Sequence, residues 1–198
     1  MLRRFSFIAC SLIWAFFLGG CAHPISMAPD LASIQPATGS PVLGKKVGYH
    51  ITADAKAIEV TTPGGGGDKV RYFPYRDLDA GLYKALGVVF RDVVKVNNPV
   101  DTAEMRVSGI QLLISPEITT NSSSDSVVTW PPTSFTVTLT CQIKDMNGVT
   151  LDTLRVEGRG RAEFDEFKSN YSLAAVRASD DALAKLIAAL RQSKAIAK

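Results

Sequence analysis

The glycine-rich stretch PGGGGDKV, residues 63–70, is the first place where residue types and spacing point to chemistry, because it has the composition of a phosphate-binding loop. A P-loop follows the pattern G-x-x-x-x-G-K-[ST], since its lysine reaches the outer phosphates and its hydroxyl holds the metal. Here Asp68 stands where the lysine is required, and Lys69 is followed by Val70, which has no hydroxyl. We therefore expect no nucleotide site in this segment.

Three carboxylates in or beside this loop leave one catalytic alternative open. Asp68, Asp77 and Asp79 are candidates for the paired acid and base of glycoside hydrolysis. Asp77 and Asp79 also have a sufficient structural explanation, since acidic side chains favour a helix N-terminus. The sequence contains no G-x-S-x-G, H-E-x-x-H, paired-cysteine or EF-hand pattern. We therefore expect a protein that is not an enzyme and has no cofactor or metal, with a carbohydrate-active enzyme as the alternative.

His50 and Cys141 are both predicted to be structural. His50 alternates with Tyr49 and Ile51 along an expected strand, and no second histidine or cysteine completes a ligand set. Cys141 lies in SFTVTLTCQIKD, residues 134–145, where every second residue is apolar and shares one face of a strand. The pattern therefore predicts an inert, buried thiol at Cys141.

The N-terminus resembles the signal peptide and lipobox of bacterial lipoproteins. Arg3 and Arg4 form a charged region, and residues 5–18 form an apolar run that is too short to span a membrane. The run ends in LGGC at Cys21. The resemblance implies that residues 1–20 are cleaved and that Cys21 carries acyl chains. An ordinary secretory signal with an incidental cysteine is the alternative.

Location and partners follow from the same resemblance. Ala22 is not the aspartate that the sorting rule of this family associates with the inner membrane, so the resemblance implies the periplasmic face of an outer membrane. Loss of the two signal-peptide arginines lowers the formal charge of +3 by two, which gives no electrostatic reason to expect nucleic acid. We expect attachment to the membrane through acyl chains, and an envelope protein or a glycan as partner.

The chain is predicted to have three parts. Residues 1–20 are the signal peptide, residues 21–45 a lipidated and proline-rich tether, and residues 46–198 a single periplasmic domain. An extended tether of about 3.1 Å per residue would span up to ~60 Å. His23 is then a solvated linker residue.

The periodicity of the third part predicts an α+β domain with the order β-α-β-β-β-α. The two long helices are expected near residues 77–96 and 172–193, and a strand over residues 103–120. An antiparallel three- to four-stranded sheet with both helices on one face buries all apolar sides. Gly158 and Gly160 in the last strand leave room for a helix to approach the sheet closely.

Two surfaces are candidates for binding. Tyr72, Tyr75, Arg76 and Trp130 are predicted to form an exposed aromatic ledge, because tyrosine, tryptophan and arginine are favoured in recognition. The alternative is that the rings fold inward onto the core. The second surface is the polar sheet face that contains Thr138, which is expected to be solvated or to pack against another copy as a homo-oligomer.

The element order and size over residues 46–196 resemble small Gram-negative lipoproteins of the YajG-like type. That resemblance implies an accessory component of an envelope system and transfers no site. The sequence therefore predicts a lipid-anchored, non-catalytic binding or assembly subunit.

Overall fold

A computed structural model of the protein describes residues 22–36, 39–65, 68–124 and 132–197. Within these ranges the chain forms eight strands and six helices. In chain order they are β1 (Ala22–Pro24), β2 (Leu43–Tyr49), α1 (Ala53–Ala57), β3 (Val60–Gly65), β4 (Asp68–Tyr72), α2 (Pro74–Val89), β5 (Phe90–Lys95), α3 (Thr102–Val107), β6 (Leu112–Ser123), β7 (Ser134–Asp145), β8 (Thr150–Arg161), α4 (Phe164–Phe167), α5 (Leu173–Gln192) and α6 (Lys194–Ala197). The α+β class predicted from the sequence is confirmed.

Five strands form the main sheet, in the order β5-β2-β6-β7-β8. β6, β7 and β8 are antiparallel neighbours, and Leu139 in the middle strand lies opposite Ile118 on one side and Val156 on the other. β2 runs parallel to both β5 and β6. The sheet is therefore mixed, and the predicted antiparallel sheet of three or four strands is wrong. Alternation shows which face is buried but not strand direction, because side chains alternate in parallel and antiparallel strands alike.

β5 was hidden in the sequence because the apolar spacing continues past the end of a helix. The helix predicted over residues 77–96 ends at Val89, and β5 begins at the next residue, Phe90. The N–H of Phe90 still donates to the carbonyl of Leu86, so the last helical hydrogen bond leads directly into the strand. β-Branched residues such as Val93 then favour the extended conformation.

A short helix also replaces the first part of a predicted strand. The strand expected over residues 103–120 begins at Leu112, since α3 precedes it. Asp101 caps this helix by accepting a hydrogen bond of 3.0 Å from the N–H of Glu104. Its buried side chain, Met105, lies in a small apolar cluster that is separate from the main core.

Helices α2 and α5 pack against the main sheet and against each other. One core cluster contains their buried side chains together with the inward side chains of β6 and β7. The two helices approach closely at Gly81, where an added Cβ would lie 2.8 Å from Cδ1 of Leu183. The space between helices and sheet is therefore one continuous hydrophobic core.

A smaller sheet has the order β1-β4-β3 and contains the beginning of the described chain. β1 runs parallel to β4, with Ala22 opposite Lys69 and His23 opposite Val70. Beyond β1, three side chains enter the core: Ile25, Met27 and Ile34. The predicted tether over residues 21–45 is therefore wrong for its described part, and His23 belongs to a strand rather than to a solvated linker.

Specific contacts hold this N-terminal segment in place. The N–H of Met27 donates to Oδ2 of Asp77 over 3.1 Å. Pro29 fills the space above Gly81, where an added Cβ would lie only 2.4 Å from Cγ of the proline. Proline excludes a helix here, but it does not prevent an extended chain from packing. The folded domain thus includes the chain from Ala22 onward, although the sequence predicted it only from residue 46.

Gly158 and Gly160 let helix α5 lie directly on strand β8, which confirms the predicted close approach. An added Cβ at Gly158 would lie 2.2 Å from the carbonyl oxygen of Ala178, and one at Gly160 would lie 2.0 Å from that of Ala174. Only a residue without a Cβ fits at either position. Backbone of the helix therefore contacts backbone of the strand.

Side chains of α5 also cover the outer edge of β8. The N–H of Arg159 donates to Oδ2 of Asp181 over 2.8 Å, and Nζ of Lys185 donates to the carbonyl of Glu157, also over 2.8 Å. Lys185 and Asp181 are themselves paired at 2.7 Å. One ion pair of the helix thus satisfies both an outward donor and an outward acceptor of the edge strand.

Candidate functional site

The structure places Tyr72 in the core rather than on an exposed ledge. Its side chain is 1% exposed, and its ring packs edge-on against Phe135 with 5.2 Å between centroids. The hydroxyl lies 2.7 Å from that of Thr120, and burial raises the pKa of Tyr72. Tyr75 is half-buried, and its hydroxyl accepts a hydrogen bond of 3.1 Å from the N–H of Ile118. The predicted exposure of Tyr72 is therefore wrong.

Arg76 is the one described member of the predicted ledge that lies on the surface. Its guanidinium carbon lies 3.7 Å from the centroid of the Phe73 ring, and its Nε lies 3.6 Å from Oδ1 of Asp77. Trp130 lies outside the described residues, so its role stays a prediction. A single stacked arginine is not the continuous aromatic surface that the sequence indicated.

Two of the three carboxylates proposed for glycoside hydrolysis, Asp77 and Asp79, have structural partners. Asp77 holds the N-terminal segment, as described above. Asp79 accepts hydrogen bonds from Nζ of Lys56 at 2.9 Å and Nζ of Lys95 at 2.8 Å. Burial alone would raise its pKa, but the two lysines hold the pKa of Asp79 below its ordinary value. The side chain of Asp68 lies outside the description. These contacts lend no support to the enzyme alternative.

His50 and Cys141 occupy structural positions. Nδ1 of His50 lies 2.6 Å from the carbonyl oxygen of Val96. Cys141 is a free thiol with 1% of its surface exposed, and burial raises its pKa to about 12. The predicted buried thiol is confirmed. Among the described residues, no group of three or more His, Cys, Asp and Glu side chains is arranged to hold a metal ion.

The polar face of the main sheet is only partly open. Gln142 is exposed and Thr140 is half-buried, whereas Thr138 is largely buried, with only 9% of its surface exposed. Nε of Arg159 lies 2.7 Å from Oε1 of Glu157, two residues away on the same strand. Packing of a second copy against this face stays a prediction.

A groove with a volume of about 520 Å³ runs between residues 33–35 and the outer side of α5. This size is within the range of small-molecule and peptide pockets. Its apolar part is formed by Ile34, Ala184, Ile187 and Ala188. Its polar part includes Asp180, Asp181 and Arg191.

Turn geometry fixes the wall of the groove opposite α5. The N–H of Asp30 donates to Oδ1 of Asp180 over 3.1 Å, which joins the segment to the helix. The N–H of Ala32 and the hydroxyl of Ser33 then bond back to Asp30, at 2.8 and 2.7 Å. Nζ of Lys84 also donates to the carbonyl of Leu31. The wall is therefore held from both α2 and α5.

The charges at the groove are not equivalent. Burial raises the pKa of Asp180, although the hydrogen bond from the N–H of Asp30 acts in the opposite direction. Partial burial also acts to raise the pKa of Asp181, but hydrogen bonds from Lys185 and the N–H of Arg159 lower it overall. Arg191 donates from Nη2 to the carbonyl of Val88 over 3.3 Å. Its Nε is buried and has no acceptor among the described residues.

The groove was missed because one of its walls was assigned to the tether. Ile25, Met27 and Ile34 are the apolar side chains of that proline-rich run that are buried in the core. Large apolar residues in a supposed linker were the available signal, since a solvated chain gains nothing from them.

No family model and no curated protein matches the sequence. Ten solved chains match the structure, the following two among them. Protein XCC0632 from Xanthomonas campestris, described as DUF330, has a TM-score of 0.49 and 11% identity over 86% of this chain and 92% of its own. A PelC dodecamer from Paraburkholderia phytofirmans has a TM-score of 0.39 and 15% identity over 74% of this chain and 94% of its own. Neither likeness assigns a function to this chain.

No helix within the described ranges is both long enough and apolar enough to cross a membrane. The signal peptide and Cys21 lie outside those ranges. Lipidation of Cys21 therefore stays a prediction from the sequence.

Proposed function

We propose that the protein is a lipid-anchored, non-catalytic subunit of the Gram-negative cell envelope, which binds a segment of a partner protein in the groove along α5. The lipobox ending at Cys21 supports the anchor and its periplasmic location. The observation that carries the binding role is the groove itself, about 520 Å³ in volume, whose lining combines the apolar Ile34 and Ile187 with Arg191.

The lining of the groove defines the chemistry of the partner. Arg191 offers N–H donors in a planar fork, the geometry that matches a carboxylate or a backbone carbonyl. Ile34 and Ile187 provide apolar surface beside it, which suits an aliphatic side chain. Two aspartates at the groove disfavour a strongly acidic segment. A partner segment with one acceptor and one apolar side chain therefore fits best.

Site-specific photo-crosslinking tests this proposal. Ala188 is exposed and lines the groove, whereas Ala80 is an exposed alanine on α2 that does not line it. Benzoylphenylalanine is placed at either position in the full-length protein, and intact cells are irradiated. We expect a discrete adduct with an envelope protein from position 188 and none from position 80. Equal adducts from both positions, or none from position 188, would contradict a partner in the groove.

A further inference from the structure

The first described residue lies in a strand of the folded domain, and this restricts where a membrane can be. Ala22 is paired with Lys69 across the β1–β4 ladder. Neighbouring strands lie about 4.8 Å apart, and consecutive Cα atoms are about 3.8 Å apart. Ala22 and Lys69 therefore lie about 5 Å apart, and the proposed anchor, Cys21, is the next residue along the chain. A tether of ~60 Å is excluded because no free residue separates the cysteine from the strand.

The outward side chains next to this point are cationic. Lys69 and Arg71 are exposed, whereas Val70 between them is fully buried, so both cations lie on the side of β4 that faces away from the core. Arg71 lies 3.8 Å from Glu59, so its charge is partly balanced. Lys69 lies directly opposite Ala22 and is the nearer of the two cations. An ammonium group at this position is complementary to lipid phosphates.

We propose that the lipidated protein lies directly on the bilayer, with the Ala22 end of the small sheet against the headgroups and Lys69 at the level of the lipid phosphates. This inference rests on the proposed anchoring at Cys21. It goes further, because an anchored domain with a spacer would have no fixed contact with the lipid. The surface in contact is the region around Ala22 and Lys69, and the opposite end of the main sheet points away from it.

The proposed contact places the start of β6 far from the membrane. Thr62 of β3 lies 2.5 Å from Ser122, near the end of β6, which aligns the small sheet with that end of the strand. Val107 in α3 precedes the start of β6 and is 91% exposed. It is therefore a matched exposed position at the other end of the molecule.

Fluorescence quenching tests the orientation. Lys69→Cys and Val107→Cys are labelled with an NBD dye in the lipidated full-length protein, where Cys141 is buried. The protein is reconstituted in phosphatidylethanolamine–phosphatidylglycerol vesicles that carry a nitroxide on the lipid headgroup. We expect at least several-fold stronger quenching at position 69 than at position 107.

Flotation with the vesicles separates the two possible failures. Protein that floats but shows equal or absent quenching at position 69 overturns the direct contact while the anchor stands. If the protein carries no lipid and does not float, both the proposed anchor at Cys21 and the proposed membrane contact are refuted. The same labelled protein in vesicles without the nitroxide lipid gives the unquenched reference for both dyes.

Discussion

The backbone contact between α5 and β8 predicts a large loss of stability from a single methyl group. In Gly160→Ala the new Cβ would lie 2.0 Å from the carbonyl oxygen of Ala174 and 2.4 Å from the backbone nitrogen of Ala178. Helix and strand must then separate by roughly 1 Å, because backbone atoms cannot rotate out of the way. Overpacking costs about 1–3 kcal/mol, and we expect the upper part of that range. The stiffer unfolded chain of the variant returns about 0.5–1 kcal/mol.

The expected net loss is therefore about 2 kcal/mol, or about 4–8 °C in melting temperature for a domain of this size. Gly87→Ala is the matched control, since Gly87 lies exposed within α2 and nothing lies within 4 Å of an added Cβ. Alanine is the better helix former by about 1 kcal/mol, so this variant should melt higher than the wild type. Circular dichroism of the domain without its signal peptide measures both shifts.

Opposite signs for the two substitutions are the critical result. A Gly160→Ala variant that melts at or above the wild-type temperature would show that α5 does not contact the strand backbone. The packing derived for Gly158 and Gly160 would then be wrong. Loss of stability in both variants would instead mean that alanine is unfavourable in α2 as well, which contradicts the open surface at Gly87.

Three further predictions concern single side chains. Tyr72→Phe removes the hydrogen bond to Thr120, and urea denaturation should show a loss of about 1 kcal/mol; an unchanged midpoint would mean that the hydroxyl is not bonded. Cys141 should react slowly with a thiol reagent in the native protein and rapidly in urea, because the thiolate is the nucleophile and burial holds the pKa near 12; fast native labelling would refute its position in the core. Cys21→Ser should remove acylation, so that cell fractionation finds unprocessed precursor or soluble protein; normal membrane retention would rule out the lipoprotein interpretation.

Side-chain alternation predicted the parts of the fold that depend on local pattern. The face that contains Cys141 is buried, and the glycines at positions 158 and 160 mark the close approach of a helix, both as the sequence indicated. Strand direction depends on the path between strands, which alternation does not encode. The boundary between α2 and β5 was not predicted for a related reason. Val89 and Phe90, on its two sides, are both apolar, and no glycine or proline separates them.

The candidate site was harder to predict from the sequence than the fold was. Composition predicted a free tether over residues 21–45, but Met27 is fully buried in the core, and Gly81 leaves room on α2 for Pro29. The groove forms only when that segment lies against α5. In the sequence, Arg191 is one charged residue near the end of an amphipathic helix, and nothing marks it as part of a groove. A feature built by two distant segments leaves no motif in either of them.

The covered edge of β8 has a consequence for self-association. An open strand edge is a template for pairing with another chain, which leads to domain swapping or fibrils. In β8 the outward N–H of Arg159 and the outward carbonyl of Glu157 are already bound by Asp181 and Lys185. An incoming strand would have to displace a charged pair before its backbone could bond there. This part of the longer edge of the main sheet is thereby protected from amyloid-like growth.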